Sequence, residues 1–186
     1  MGEPLDNLNE VLKSLEILTA EWGFAMSPRR ITVSTIGVIP GMRAFLEKSE
    51  AHLAVSLHTP FDAERRKIMP VQKVYPLKDV IDEIRKWDFG GQRRVSFEYI
   101  LFDGLNDTSK HVAELSQLLD GLRCRINLIR FHPVPDTPFK SPKESAIQQF
   151  KDALNNKGLL TTIRASRGQD IFAACGLLST KELGRS

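Results

Sequence analysis

Ser56 and His58 close an apolar run that begins at Leu53, and the alternation of a β-strand sets them on one face with Val55 and Leu57 on the other. A hydroxyl and an imidazole so placed can grip a polar ligand or handle a proton near neutral pH. The same pair can equally be a serine and a histidine hydrogen-bonded at a strand end. Ser34 and Thr35, Asp103 and His132 stand at the ends of other strand-like runs and join the candidates. Cys175, in Asp170-Ile171-Phe172-Ala173-Ala174-Cys175-Gly176, is a thiol among small residues that either admit a substrate or pack tightly. Glu98 interrupts the apolar run Ser96 to Ile100, where a buried carboxylate needs a partner, and Asn127 poses the same question. An inward ion pair is the expectation for Glu98, and a structural thiol for Cys124. Arg164-Ala165-Ser166-Arg167-Gly168 is the best anion-binding candidate. The other basic groups, Arg29-Arg30, Arg65-Arg66-Lys67 and Arg93-Arg94, read mostly as solvated surface. His52, His58, His111 and His132 lack metal-ligand spacing, so no metal site is assigned.

These side chains need a scaffold, and the chain alternates two periodicities. Strand-like runs occur at Arg30 to Thr35, Leu53 to His58, Val95 to Phe102, Ile126 to Phe131 and Leu160 to Arg164. Helical spacing occurs at Leu8 to Trp22, with Asn7 and Glu10 as a capping box, ending near Gly23. It recurs at Leu77, Val80, Ile81 and Ile84, at Val112 to Leu119, and at Ile147, Phe150 and Leu154. For the last helix, Ser141 as cap, Pro142 as first residue and Glu144 as box partner predict the start, and Gly158 the left-handed exit. Alternation of this kind predicts an α/β protein with about four to five parallel strands and its site at their carboxyl ends. No strand precedes the first helix. Five strands cannot close a barrel of the usual kind, so the expectation is an open sheet or a partial barrel lacking amino-terminal strands.

The 186 residues, 41% hydrophobic and 26% charged, suit one folded domain over 1–186 and exclude a disordered chain. A net charge of +3 permits an anionic partner without requiring one. No apolar run is long enough for a membrane span and no signal-type leader is present, so the expectation is cytoplasmic, with no membrane partner. Two widely spaced cysteines, outside any CxxC, fit a reducing compartment.

Read in order, Gly2-Glu3-Pro4-Leu5, Arg30-Ile31-Thr32-Val33-Ser34-Thr35, Ser56-Leu57-His58, Ile126-Asn127-Leu128-Ile129 and Ala173-Ala174-Cys175-Gly176 resemble one family. It is the radical S-adenosylmethionine (SAM) methyltransferases that methylate adenine in 23S ribosomal RNA, with their antibiotic-resistance relatives. The resemblance runs from Gly2 to the carboxy terminus. It implies the carboxy-terminal portion of a six-unit radical SAM barrel, with S-adenosylmethionine and a 4Fe-4S cluster as cofactors. Gly2 and Glu3 are implied to meet the SAM amino group, with Ser34, Ser56, Leu57, His58 and His132 lining the rest. His132 stands where the best-known members have asparagine. Two SAM molecules serve the family chemistry: one methylates a cysteine, matched here by Cys175, and the other is cleaved reductively to a radical. A second cysteine resolves the adduct, and Cys124 does not match it. The cluster's CxxxCxxC loop lies upstream in the family and does not occur in this chain. The expectation is a fragment, inactive alone, whose partners are the missing amino-terminal part of the same protein and 23S rRNA, with tRNA left open. Carbon 2 of adenine is the expected position, and carbon 8 is the alternative. Rival readings are a non-catalytic RNA-docking domain and a phosphate-binding barrel enzyme centred on Arg164 to Gly168.

Overall fold

Parallel strands that follow one another across a sheet through crossovers of the same hand must carry their helices on one face and leave the other bare. The computed structural model, which describes residues 2–89, 91, 93–132 and 137–165, has this form. Strands β1 (Thr32–Thr35), β2 (His52–Ser56), β3 (Val95–Leu101), β4 (Cys124–Arg130) and β5 (Thr161–Ile163) lie in the order β1-β2-β3-β4-β5. Every neighbouring pair is parallel. The expected α/β class and the five strand positions are therefore borne out. No helix among the described residues is long and apolar enough to cross a membrane.

The helices are α1 (Leu8–Thr19), α2 (Ile39–Lys48), α3 (Asp62–Ile68), α4 (Leu77–Ile84), α5 (Ser109–Leu118) and α6 (Glu144–Asn156). Leu53, Val55, Phe97, Tyr99 and Leu128 point from the strands into one core shared with Phe45 of α2, Ile81 of α4, Leu115 of α5 and Phe150 of α6. The apolar spacing of α4 is fully used: Leu77, Val80, Ile81 and Ile84 are all buried. Single-residue alternation in β1, exposed then buried twice over, leaves Thr32 and Ser34 exposed on the other face, where Ala54 of β2 and Glu98 of β3 are nonetheless buried.

Three local expectations need correction. The first helix does not run from Asn7 to Gly23. A 3-10 turn (Pro4–Asn7) precedes α1, and the Asn7 side chain makes no capping bond. Beyond Thr19 the chain folds back, so that the Phe24 and Met26 amides donate to the Ile17 and Leu18 carbonyls. Gly23 is required there, because a Cβ would sit 1.9 Å from the Ile17 carbonyl oxygen. Trp22, expected on the buried stripe, is 70% exposed. Likewise α6 begins at Glu144 without the box from Ser141, since the Glu144 carboxylate instead takes two bonds from Arg130 at 2.6 and 2.9 Å. Its exit holds as expected, with Gly158 at φ +83°. Finally, α2 and α3 lie outside the helical patterns read from the sequence. Gly37 and Pro40 read as a loop after the first strand, but Pro40 occupies the first turn of α2, where proline is tolerated, and α3 is short and almost wholly polar.

Candidate functional site

The open face of the sheet is polar in successive strands at one level. The register aligns Ser56 of β2 with Glu98 of β3, Glu98 with Asn127 of β4, and Asn127 with Thr162 of β5. Asn127 Nδ2 donates to Glu98 Oε1 at 2.9 Å, and Thr162 Oγ1 donates to Asn127 Oδ1 at 2.9 Å. Glu98 Oε2 is buried and has no hydrogen bond, with Arg164 Nη1 at 3.8 Å across from it. The inward ion pair expected for Glu98 is thus a loose one, and the tight partner is Asn127.

At the carboxyl ends of β1 and β2 the chain brings in the Gly2-Glu3 segment. Glu3 Oε2 accepts from the Ile36 amide at 2.8 Å, and Oε1 accepts from the Leu5 amide at 3.1 Å. One carboxylate therefore caps the 3-10 turn and pins it to the residue after β1. The turn also packs against α2 so closely that a Cβ on Gly41 would meet the Leu5 carbonyl oxygen at 2.7 Å. Ser34, exposed on the open face, and exposed Gly2 are brought to the same end of the sheet. Leu57 is fully buried in the core, so only its main chain faces the strand ends.

Arg65, grouped in the sequence with solvated surface, is instead 0% exposed. Its Nη2 donates to the Ile36 and Ser56 carbonyls at 3.1 and 3.0 Å, its Nε to Leu57 at 3.3 Å, and its Nη1 to Gln72 Oε1 at 2.5 Å. Burial pushes its pKa down to about 10, with the nearby Asp62 carboxylate opposing the shift. The guanidinium is the clamp between the ends of β1 and β2. A fixed fork with five donors is the side chain that can satisfy diverging carbonyls this way.

His58 lies just past β2 with a left-handed backbone, φ +59°. Its Nδ1 accepts from the Ile100 amide at 3.1 Å, which leaves Nε2 to carry the ring hydrogen. Burial pushes its pKa down to about 4, and the Arg65 charge acts in the same direction. A neutral imidazole donating through Nε2 is therefore the working form. Asn106, fully buried, fixes the backbone around it: its Nδ2 donates to the His58 and Ile100 carbonyls at 2.6 and 2.7 Å, and its Oδ1 accepts from the Phe102 amide at 2.8 Å. Arg65 and Asn106 escaped the sequence reading because one sits in a basic run and the other in the turn-like Asp103-Gly104-Leu105-Asn106. Beside them, Thr59 donates to Glu64 Oε2 at 2.6 Å and His111 Nε2 lies 2.9 Å from the same oxygen. Burial works to raise the Glu64 pKa, but these two hydrogen bonds together with the His111 and Lys110 charges leave it lowered.

The remaining candidates separate. His132 is half-buried just beyond β4, and Asp103 is exposed with its amide bonded to the Lys140 carbonyl. Arg164 faces Glu98, while residues 166–168 of the anion-binding candidate lie outside the described residues. Cys124 is partly buried, and burial pushes its thiol up to about 11, as suits a structural cysteine. Cys175 lies outside the described residues. No group of three or more metal-ligating side chains occurs among the described residues.

No protein-family model matches the chain. Curated relatives do. A probable dual-specificity RNA methyltransferase RlmN of Parabacteroides distasonis is 59% identical over 97% of this chain, and that of Bacteroides thetaiotaomicron is 54% identical over 97%. The chain spans about half the length of these relatives, 52% of each. Among solved structures, a radical SAM methyltransferase from Sphaerobacter thermophilus superposes with a TM-score of 0.89 at 41% identity, over 95% of this chain and 52% of that one. A domain of pyruvate-formate lyase-activating enzyme from Bacteroides vulgatus shares the fold, with a TM-score of 0.67 at 19% identity over 89% of this chain and 96% of that one. The resemblance to radical SAM RNA methyltransferases read from the sequence is borne out by these relatives.

Proposed function

We propose that the chain, taken as one domain, is the carboxy-terminal half of a cytoplasmic radical SAM enzyme that methylates carbon 2 of adenine in 23S rRNA. Transfer RNA is the second substrate we infer, because the relatives bear the words dual-specificity in their names. The observation that carries the reading is the gathering of Glu3, Ser34, Ser56 and His58 at the carboxyl ends of β1 and β2, the usual place for a site in such sheets. The open face fits a ligand rich in donors, since it presents a buried carboxylate oxygen with nothing bonded to it among the described residues.

Bound there, SAM supplies a transferable methyl group. Glu3, held by two amides, keeps lone pairs for an ammonium group, and Gly2 leaves room beside it because no atom approaches within 4 Å of where its Cβ would be. Ser34 and Ser56 offer hydroxyls, His58 a neutral Nε2–H donor, and His132 a further ring donor or acceptor. Leu57 contributes through its buried side chain, which fixes the strand end. Cys175 is the nucleophile: its thiolate forms a bond to the methyl carbon as the carbon–sulfonium bond breaks. The 4Fe-4S cluster does not fit this chain, because two cysteines cannot provide three thiolates. Its ligands are assigned to the amino-terminal half, and the isolated chain is expected to be inactive.

The test is to express the intact enzyme in bacteria lacking their own adenine carbon-2 methyltransferase and to digest the rRNA and tRNA to nucleosides. Mass spectrometry should find 2-methyladenosine in both pools, a methyl group on the Cys175 peptide, and neither with Cys175→Ala. Methylation at carbon 8, or unchanged activity of the alanine variant, would overturn the assignment.

A further inference from the structure

Glu98 sits in the polar row one strand from Ser56, and its two oxygens are treated differently. Oε1 is bonded to Asn127, whereas Oε2 is buried, has no hydrogen bond among the described residues and stands 3.8 Å from Arg164, beyond hydrogen-bond reach. A carboxylate oxygen removed from water without a donor is costly, and natural proteins keep such atoms where something else supplies the donor. Asn127 is already committed on both sides, to Glu98 and to Thr162. A donor from a bound ligand on the polar face of the sheet would satisfy the atom.

We propose that Glu98 is a further binding residue of this site, accepting hydrogen bonds through Oε2 from the ribose hydroxyls of the SAM nucleoside. The proposal rests on the SAM-binding reading above. Its geometric basis is the order of groups across the sheet. Glu3 at the end of β1 is placed for the ammonium, Ser56 follows on β2, and Glu98 lies two strands from β1, roughly 10 Å away at the usual spacing. That separation matches the span of the methionyl chain that joins the ammonium to the ribose. A vicinal diol offers two donors and no positive charge, which suits a carboxylate whose other oxygen is already held by an amide.

The experiment uses the intact enzyme and S-adenosylhomocysteine as probe, with affinity read by calorimetry. Removing the 2′- and 3′-hydroxyls of the probe should weaken binding to the unaltered enzyme roughly 10- to 100-fold. Glu98→Gln keeps an acceptor for Asn127 but presents an amide N–H₂ to the diol, so it should weaken the parent probe by a similar factor. The dideoxy probe should then lose nothing further in that variant. A dideoxy probe that binds the unaltered enzyme as tightly as the parent would overturn the proposal, whether or not the variant folds. Coupling to the 6-amino group of the purine instead, seen with a probe lacking it, would overturn it too. If the unaltered enzyme binds no S-adenosylhomocysteine, the SAM reading itself falls, and the proposal with it.

Discussion

The imidazole of His58 is held neutral by its surroundings, and that has a measurable sign. Its Nδ1 faces a backbone N–H that cannot turn away, so protonation would set two donors against each other. The folded pKa is about 4, below the ordinary value of 6.5. For a depressed histidine the unfolded chain binds more protons between the two values. This contribution is therefore fully present above pH 6.5 and is lost as pH falls toward 4, by roughly 3 kcal/mol at most. His58→Asn, which tolerates the left-handed backbone and does not titrate, should flatten that part of the stability profile. Urea titrations at several pH values would measure it, and nitrogen chemical shifts at pH 5.5 should show Nε2 protonated with Nδ1 bare. A shift pattern of a fully protonated ring at that pH would contradict the assignment. Arg65 works at the same scale through its carbonyl clamp. Arg65→Met strands the Ile36, Ser56 and Leu57 carbonyls, and the expected loss is about 3 kcal/mol or more of folding stability by chemical denaturation.

Among the elements, the 3-10 turn carrying Glu3 depends on one close approach. Gly41 lies in the first turn of α2 against Leu5, and a methyl group there would meet the Leu5 carbonyl oxygen at 2.7 Å and Leu5 Cβ at 2.8 Å. Gly41→Ala should therefore push the turn away and break the bond from the Ile36 amide to Glu3. Helix propensity alone would favour the alanine, so the outcome separates the two effects. Hydrogen exchange should speed up at Ile36 while the α4 amides stay protected, and uniform protection would show that the turn can absorb the methyl group. The five strands and the helices α4, α5 and α6 were legible in the sequence because their apolar periods coincide with their burial. Two things hid the rest. α2 opens on Ile39-Pro40-Gly41, where Pro40 reads as a loop, and α3 is polar because its buried member is an arginine whose partners are the Ile36, Ser56 and Leu57 carbonyls and the Gln72 side chain. Ser34 and Ser56 were legible as strand-end residues, since alternation alone predicts their face, whereas His58 lies beyond β2 with a left-handed backbone that breaks the alternation. Arg65, Asn106 and the Gly41 contact were not, because each acts on main-chain atoms of another element and leaves no periodic trace.

Among the described residues, five parallel strands in sequential order leave β1 and β5 as outer strands, and the core cluster packs on one side of the sheet. The face that carries the polar row is accordingly free to form one wall of the site proposed above. The cofactor chemistry proposed for the whole enzyme needs more than this wall supplies, and the cysteine count says where the shortfall is. A 4Fe-4S cluster with an open iron takes three thiolates, and the chain has Cys124 and Cys175 alone. Cys124 is on β4, partly buried, with its thiol pushed up to about 11, so at neutral pH it is protonated and a poor ligand. His52 and His58 are each tied through Nδ1 to a backbone amide, and His111 lies in the buried cluster with Glu64 and Thr108, so these three do not repair the set. Anaerobic incubation of the 186-residue chain with ferrous iron and sulfide, followed by desalting, should therefore leave less than one cluster per several chains and no broad absorption near the visible edge. The sharper control joins the chain to the amino-terminal half of a relative such as that of Parabacteroides distasonis. Cluster absorption should appear in the joined protein and persist with Cys124→Ser, since the thiolates come from elsewhere. A stoichiometric cluster on the isolated chain, abolished by Cys124→Ser, would instead place a metal site on this half and reverse the assignment of Cys124 as structural.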